Sequence, residues 1–277
     1  MSPSIAQALD QARAAGLDRV DAFALLGQLL KRERGWLIAH DDELLSPAQS
    51  ARWTDWCHRC AAGEPVAYLV GEREFHGLRL AVSPAVLIPR PDTELLVDWA
   101  LALLGTLCAA APRVLDLGTG SGAIALAVKH RHPRAQLTAV DASAAALAQA
   151  RANGEQLGLA VDWRLGDWWQ GLAGRRFDLV LSNPPYIAQD DPHLQALTHE
   201  PLSALASGPD GLDDIRRLLR GATEHLAPGA WLLLEHGWDQ AEAVRALLSS
   251  HGLVEVQSRR DLAGHVRCSG GCWPGTP

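Results

Sequence analysis

The sequence predicts two parts, a small all-helical N-terminal domain and, behind it, a doubly wound α/β domain on a mostly parallel sheet. Three observations carry this reading. Apolar residues at helical spacing dominate the N-terminal stretch. A segment punctuated by Gly77, Pro84, Pro89 and Pro91 then interrupts them. From Arg113 onward short apolar runs alternate with helical patterns, which requires right-handed crossovers and a sheet covered on both faces. At 277 residues the chain has room for one domain of ordinary size and a smaller companion. The expected divisions are residues 1–75 for the helical domain, 76–91 for a hairpin-like linker and 92–277 for the α/β domain.

In the helical part, Val20, Phe23, Ala24, Gly27 and Leu30 form one apolar stripe, and Lys31 to Arg34 reads as a solvated helix face. A later helix is expected to start at Ser46, with Pro47 in its first turn and Gln49 completing a capping box, and to stop near Gly63. The α/β part is expected to open with a helix over 92–107. Strands follow at 113–117, 136–140, 161–165, 177–182, 230–234 and 253–258, with helices at 123–130, 143–157, 211–226 and 240–249. The long connection from Ile187 to Gly208 exceeds what a passive loop needs and reads as a lid.

Hydrophobic residues make up 48% and charged residues 21%, proportions that exclude a disordered or collagen-like chain. Lys and Arg number 25 against 32 Asp and Glu, a net charge of −7, so bulk positive charge cannot carry binding to nucleic acid, and duplex DNA is disfavoured as a substrate. No run approaches the roughly 18 apolar residues of a membrane helix, and the first residues lack a basic start before a hydrophobic block. A soluble, cytoplasmic protein is expected. The cysteines, Cys57, Cys60, Cys108, Cys268 and Cys272, are odd in number and scattered, so reduced thiols are expected. Cys57 and Cys60 form a C-x-x-C inside a helical pattern and Cys268 and Cys272 a poorly matched C-x-x-x-C. They read as small buried hydrophobes in preference to a zinc site. His193 and His199 lack ligand spacing, and no metal is expected.

The chemistry concentrates where strands end. Asp116-Leu117-Gly118-Thr119-Gly120-Ser121-Gly122 follows the first strand of the α/β part and opens a helix, a turn that lets a ligand approach backbone N–H groups. Asp141 ends the next strand about 20 residues on, where a carboxylate accepts hydrogen bonds from the ribose of a dinucleotide or of an adenosyl ligand. The relaxed dinucleotide spacing is also satisfied. Asp116 tips the reading away from a pyrophosphate, which it would repel, and toward the amino group of a methionine moiety. Asp167-Trp168-Trp169 follows the third strand. Trp168 is a candidate wall for a purine and Asp167 an acceptor for its amine, against the competing reading that the tryptophans only pack the core.

Ser182-Asn183-Pro184-Pro185-Tyr186 ends the fourth strand. The prolines fix an extended backbone that cannot pair as a central strand and leave carbonyls free. The Asn183 side-chain oxygen and the Pro184 carbonyl can both accept from one planar NH2, with Pro185 and the Tyr186 ring beside it. Two such acceptors stabilise positive charge developing on a nitrogen that attacks a methyl group. The competing reading is a surface turn stiffened by proline.

With these motifs in this order, the α/β part resembles the class I S-adenosylmethionine-dependent methyltransferases. Asn-Pro-Pro-Tyr is shared by amino-group methyltransferases that act on adenine and on glutamine amides. Gly63-Glu64-Pro65-Val66-Ala67-Tyr68-Leu69-Val70-Gly71, Phe75-His76-Gly77-Leu78 and Leu87-Ile88-Pro89-Arg90-Pro91-Asp92-Thr93-Glu94 are similar to the glutamine methyltransferases of peptide chain release factors, from the helical part to about Arg267. The resemblance implies a seven-stranded Rossmann-like sheet and an acceptor glutamine in the Gly-Gly-Gln loop of class 1 release factors, whose methylation supports translation termination. It implies S-adenosylmethionine as cofactor and S-adenosylhomocysteine as product. It assigns Gly118, Thr119, Gly120, Ser121, Gly122, Asp141, Trp168 and Asn183 to the cofactor, and Asn183, Pro184, Pro185 and Tyr186 to the glutamine, with Asn183, Pro184 and Tyr186 catalytic. Arg90 to Glu94 is expected near the mouth. No membrane partner and no direct nucleic-acid contact are expected. The segment Cys268 to Trp273 departs from the family pattern and puts the last strand in doubt. A ribosomal-protein glutamine or a nucleic-acid adenine amine is the alternative acceptor; a non-catalytic adaptor and a dehydrogenase are the readings outside methyl transfer.

Overall fold

The structure is a computed structural model that describes residues 2–107 and 109–275; Cys108, expected as a free thiol, lies outside them. Packing divides the chain into two units between Glu72 and Arg73. The first holds α1 (Ile5–Ala14), α2 (Arg19–Leu30), α3 (Arg34–Ala39), α4 (Pro47–Ala61) and α5 (Val66–Val70). Ser4 and Ser46 start α1 and α4 with reciprocal capping boxes, the second with Pro47 and Gln49 as the sequence predicts. Ile5, Leu25, Leu26, Leu37, Leu45 and Trp53 form the core of this unit.

Two details of α2 correct the sequence reading. Its buried face is Ala22, Phe23, Leu25 and Leu26, while Val20 and Ala24 are exposed. Both stripes have helical spacing, and the one carrying the larger continuous apolar surface is buried. Lys31 to Arg34 is solvated but is no helix face, because Lys31 adopts φ 54° and terminates α2 before Arg34 opens α3.

At the boundary stands a hairpin of β1 (Glu72–Phe75) and β2 (Leu78–Ala81), turned through His76 and Gly77 at φ 50° and 81°. A 3-10 turn at Pro91–Thr93 leads into α6 (Glu94–Leu104). Then come β3 (Arg113–Leu117), α7 (Ala123–Arg131), β4 (Gln136–Asp141), α8 (Ala144–Leu157), β5 (Asp162–Leu165) and β6 (Phe177–Ser182), followed by α9 (Asp213–His225), β7 (Leu226–Glu235), α10 (Ala241–Ser250), β8 (Val254–Arg260) and β9 (Val266–Cys272). The seven-stranded sheet has the order β5-β4-β3-β6-β7-β9-β8. β5 through β7 are parallel and β9 is antiparallel to both its neighbours.

Successive residues of the central strands serve opposite faces, as the period of two requires. Val114, Leu179, Leu181 and Leu233 join the core under α6 and α7. Leu115, Val180, Leu232 and Leu234 join the one under α9 and α10. The doubt over the last strand is removed by β9 itself, which pairs residue for residue with β7 from Trp231↔Cys272 to Glu235↔Cys268. Its glycines explain why so unusual a segment fits there. A Cβ on Gly270 would stand 2.4 Å from Leu233 Cδ2, and one on Gly271 2.9 Å from Leu253 Cβ, so this slot between two sheet neighbours admits no side chain.

Candidate active site

The strand order reverses at β3, with β4 on one side and β6 on the other, and such a switch point opens a crevice beyond the carboxyl ends of the strands. Register brings the predicted motifs together there. Leu117 pairs with Val140 and with Ser182, and Asp141 pairs with Leu165. The glycine turn, Asp141, the Asp167-Trp168 segment and Asn183 therefore leave adjacent strands at one edge. They surround a cavity of about 530 Å³ lined by Gly118, Gly120, Asp141, Trp168, Asn183 and Pro185, with further walls from 85–87 and from the long loop at Pro201, Ser203, Ala204 and Ala206.

On the glycine side the backbone does the shaping. Gly118, Gly120 and Gly122 take φ of 73°, 55° and 85°, conformations costly for any side chain. Gly118 and Thr119 donate backbone N–H bonds to the Val140 carbonyl at 2.9 and 3.0 Å. Asp141 accepts from Gly120 N and Ser143 N, each at 2.8 Å, through different carboxylate oxygens. Burial raises its pKa and these two bonds oppose the rise. Each oxygen keeps a lone pair for a hydroxyl donor. Thr119 and Ser121 are buried behind the turn, and a Cβ on Gly122 would meet Leu126, Trp163 and Ala150. These three shape the turn from behind.

Asp116, expected to pair with an amino group, is not among the residues lining the cavity. It is fully buried, accepts from Thr119 Oγ1 at 2.6 Å and Ala125 N at 3.2 Å, and so ties the glycine turn to the start of α7. Burial pushes its pKa up to about 7, against those two hydrogen bonds, and its Oδ1 has no protein partner. A second support was not foreseen. Buried Asn153 of α8 bonds both backbone groups of Ala81 and the Ser121 carbonyl, clamping the hairpin to the glycine turn.

The two adjacent tryptophans separate in role. Trp168 stands at φ 52°, a strained conformation for a bulky residue, and its ring carbon lies 3.3 Å from where a Gly118 Cβ would be. Its indole N–H is buried without a partner. Trp169 packs instead, stacked on His225 with ring centroids 4.9 Å apart and donating to the Leu218 carbonyl at 2.9 Å. Asp167 lines the cavity but one carboxylate oxygen is held by Arg217 at 2.5 Å. A side-chain-free floor, a flat apolar wall and a carboxylate with open lone pairs fit an adenosyl ligand with a ribose. Gly118, Gly120, Asp141 and Trp168 are the residues that would hold it.

Opposite the glycines, Asn183 and Pro185 line the cavity, while Pro184 is buried behind them and Tyr186 is half-buried. Asn183 Nδ2 donates to Thr93 Oγ1 at 3.1 Å. Tyr186 Oη donates to Glu235 Oε1 at 3.4 Å, and its backbone carbonyl accepts from Gln240 Nε2 at 2.9 Å. Burial, then the nearby Glu235, pushes the phenol pKa up. Glu235, at the end of β7, is 1% exposed. Burial and Asp92 raise its pKa to about 7 while the nearby Thr93 and Tyr186 hydroxyls and the charge of Arg267 oppose the rise, and its Oε2 has no protein partner. Arg267 in turn reaches Asp92 at 3.2 Å. The 90–94 stretch, expected only near the mouth, thus reaches the site through Thr93, and Arg90 has a separate task. It pairs with buried Glu200, which also accepts from Ile88 N at 3.0 Å and so anchors the loop over 187–208. Glu235 escaped the sequence reading, and Thr93 entered it only as part of the 90–94 stretch. Glu235 had a visible signal, an apolar strand ending in a carboxylate like those at Asp116 and Asp141.

A seven-stranded sheet closed by an antiparallel strand, with its cavity at the switch point, is a class I methyltransferase fold. The crystal structure of a methyltransferase from Pyrococcus furiosus shares it with a TM-score of 0.52 and 21% identity, over 72% of this chain and 90% of that one. Residues 96–208 match the family described as methyltransferase small domain, and residues 4–71 the one described as PrmC N-terminal domain. The release factor glutamine methyltransferase of Bordetella pertussis is 54% identical over 259 residues, 92% of this chain and 95% of its own length. That of Xylella fastidiosa is 51% identical over 262 residues, 94% of each. The chain belongs to the release factor glutamine methyltransferase family.

Proposed function

We propose that the chain methylates the side-chain amide nitrogen of the glutamine in the Gly-Gly-Gln loop of class 1 peptide chain release factors, in the cytoplasm, with S-adenosylmethionine as donor. Bound there, S-adenosylmethionine supplies an electrophilic methyl on a sulfonium and leaves as S-adenosylhomocysteine. Asp141 accepts from the ribose hydroxyls, Trp168 walls the base, and the glycine turn from Gly118 to Gly122 admits the ligand close to the backbone.

The bond from Asn183 Nδ2 to Thr93 carries this reading. It engages the NH2 of Asn183 with the protein, and in this reading the side-chain oxygen is the acceptor on the cavity side. An amide nitrogen is a poor nucleophile because its lone pair is delocalised into the carbonyl. An acceptor held against its N–H stabilises the positive charge that grows as the nitrogen becomes tetrahedral, a contribution of about 3 kcal/mol by comparison with single preorganised groups elsewhere. Pro184 offers the second carbonyl, Pro185 stiffens the segment and Tyr186 closes its far side. In this reading residues 1–75 dock the protein substrate, 76–91 link the parts and 92–277 carry the chemistry. With a net charge of −7 the chain makes no direct use of nucleic acid.

The test is incubation of the purified chain with S-adenosylmethionine and a class 1 release factor, followed by peptide mass spectrometry. One added methyl on the Gly-Gly-Gln glutamine is expected. Label appearing only on a ribosomal protein or an adenine oligonucleotide, or nowhere, rejects this assignment.

A further inference from the structure

The run from Asn183 to Tyr186 leaves the end of β6 with two prolines, Pro184 and Pro185, that have no N–H to give to a strand ladder. Its last carbonyl is held by a side chain instead. Gln240, the residue before α10, donates from Nε2 to the Tyr186 carbonyl at 2.9 Å and to the Asp210 carbonyl at 3.2 Å, and its Oε1 accepts from Gly237 N at 2.8 Å. All three partners are backbone groups of fixed sense, two carbonyls and one N–H, so this amide can sit only one way round.

The three partners belong to separate stretches. Tyr186 immediately precedes the loop over 187–208, Asp210 follows it, and Gly237 lies in the turn between β7 and α10. Backbone bonds also join the two limbs of the loop, from Ile187 N to the Leu205 carbonyl and from Gln189 N to the Gly208 carbonyl, each at 2.9 Å. The junction is packed to its limit. A Cβ on Gly211, at φ 74°, would stand 2.2 Å from the Tyr186 carbonyl oxygen and 2.6 Å from Gln240 Nε2. One glutamine side chain thus fastens the end of the acceptor run to both ends of the loop that walls the cavity and to the start of α10.

We infer that Gln240 is a positioning residue for methyl transfer: by holding the Tyr186 carbonyl and the base of the 187–208 loop together it sets where the Asn183 and Pro184 oxygens stand relative to the methyl group. The inference rests on the proposed role of the Asn183–Tyr186 run. None of the three Gln240 bonds reaches the glycine turn or Asp141, so the clasp acts on turnover and leaves cofactor binding alone.

The test compares Gln240→Glu, Gln240→Met and Asn183→Ala with wild type in the full-length chain. Gln240→Glu keeps an acceptor for Gly237 N but turns a carboxylate toward the two carbonyls, whereas Gln240→Met keeps the length of the side chain and loses all three bonds. Release-factor methylation is measured at saturating S-adenosylmethionine and release factor, and kcat is expressed per cofactor-binding chain from the calorimetric stoichiometry, so that loss of folded protein does not count as loss of turnover. Both Gln240 variants are expected to lower kcat at least about tenfold, the scale on which misplacement of a reacting group is felt, with cofactor affinity changed by less than about twofold. Amide exchange is expected to quicken at Ile187, Gln189 and Ser207 and to stay unchanged in β3. Should Gln240→Met not fold, Gln240→Glu decides alone. A wild-type kcat in Gln240→Glu overturns the inference even if Gln240→Met is slow, because the effect then belongs to Gly237 and the start of α10. A loss of cofactor affinity as large as the loss of kcat overturns it too. If Asn183→Ala is slow while Gln240→Glu turns over normally, the clasp fails and the role of Asn183 stands. If Asn183→Ala itself turns over normally, or the wild-type chain leaves the release factor unmethylated, both fall.

Discussion

On the glycine side of the cavity the directing contacts are made by backbone groups and by residues close in sequence or on the neighbouring strand. Thr119 reaches Asp116 three residues away and Gly120 reaches Asp141 on the adjacent strand end. On the Asn183 side, Thr93 lies 90 residues from Asn183, Glu235 lies 49 from Tyr186, and Arg90 lies 110 from Glu200. A ligand cradle can thus be built from one βαβ unit, whereas the segment carrying Asn183, the proposed catalytic residue, is held by contacts from remote stretches of the chain. Damage on the first side should therefore appear in ligand affinity, and damage on the second in turnover.

Asn183→Ala gives the largest expected effect. It removes the acceptor, and kcat for methyl transfer is expected to fall roughly 10²- to 10³-fold, as when one preorganised group is lost. Cofactor affinity by calorimetry should stay within about threefold. A kcat near wild type would break the comparison at its centre. Gly118→Val probes the other side. A branched side chain at φ 73°, with its Cβ 3.3 Å from the Trp168 ring, is expected to weaken S-adenosylmethionine binding about tenfold or more, consistent with 1–3 kcal/mol of strain. At saturating cofactor its kcat should recover toward wild type.

Glu200→Ala tests the loop that covers the acceptor side. It leaves the Ile88 N–H and the Arg90 guanidinium without their buried partner, a local loss of about 1–3 kcal/mol. Faster amide exchange across 187–208, with the glycine turn unaffected, is the expected readout. The smallest effect is in stability. Asp116 carries a pKa raised to about 7, so the folded state holds its proton more tightly than the unfolded chain does. Its contribution to stability is complete below the ordinary aspartate range and is lost as pH rises toward 7. Asp116→Asn cannot ionise, so wild type minus variant stability, by urea unfolding, should fall as pH is raised from 4 through 7. A flat difference would mean that Asp116 titrates normally.

The same contrast explains what could be read before the fold was known. Gly118 to Gly122, Asp141 and Trp168 announce themselves because a glycine turn, a carboxylate at a strand end and an aromatic at the next strand end are each local, and parallel register alone brings them together. Asn183 to Tyr186 was visible for the same reason, as a run that cannot continue a strand. Glu235 was missed, and Thr93 was placed only near the mouth, because such contacts are a matter of tertiary pairing; no pattern around residue 93 says that it will face residue 183. The place of Asp116 at the end of β3 is local information, whereas its complete burial and its bond to Ala125 of α7 are not. The last strand was doubted for want of side chains. Gly270 and Gly271 make poor strand formers by propensity, yet only glycine fits where Leu233 and Leu253 press in from both sides.

Because β9 lies between β7 and β8 in space but follows both along the chain, β7 is the last of the parallel strands to gain its second neighbour. A nascent polypeptide that has delivered Glu235 but not Val266 presents β7 as a bare edge, open to pairing with whatever strand is at hand. The threading of a glycine-bearing ribbon into that gap is then a late assembly step. It ties the pairing of Glu235 with Cys268 to synthesis having run on past the closing hairpin.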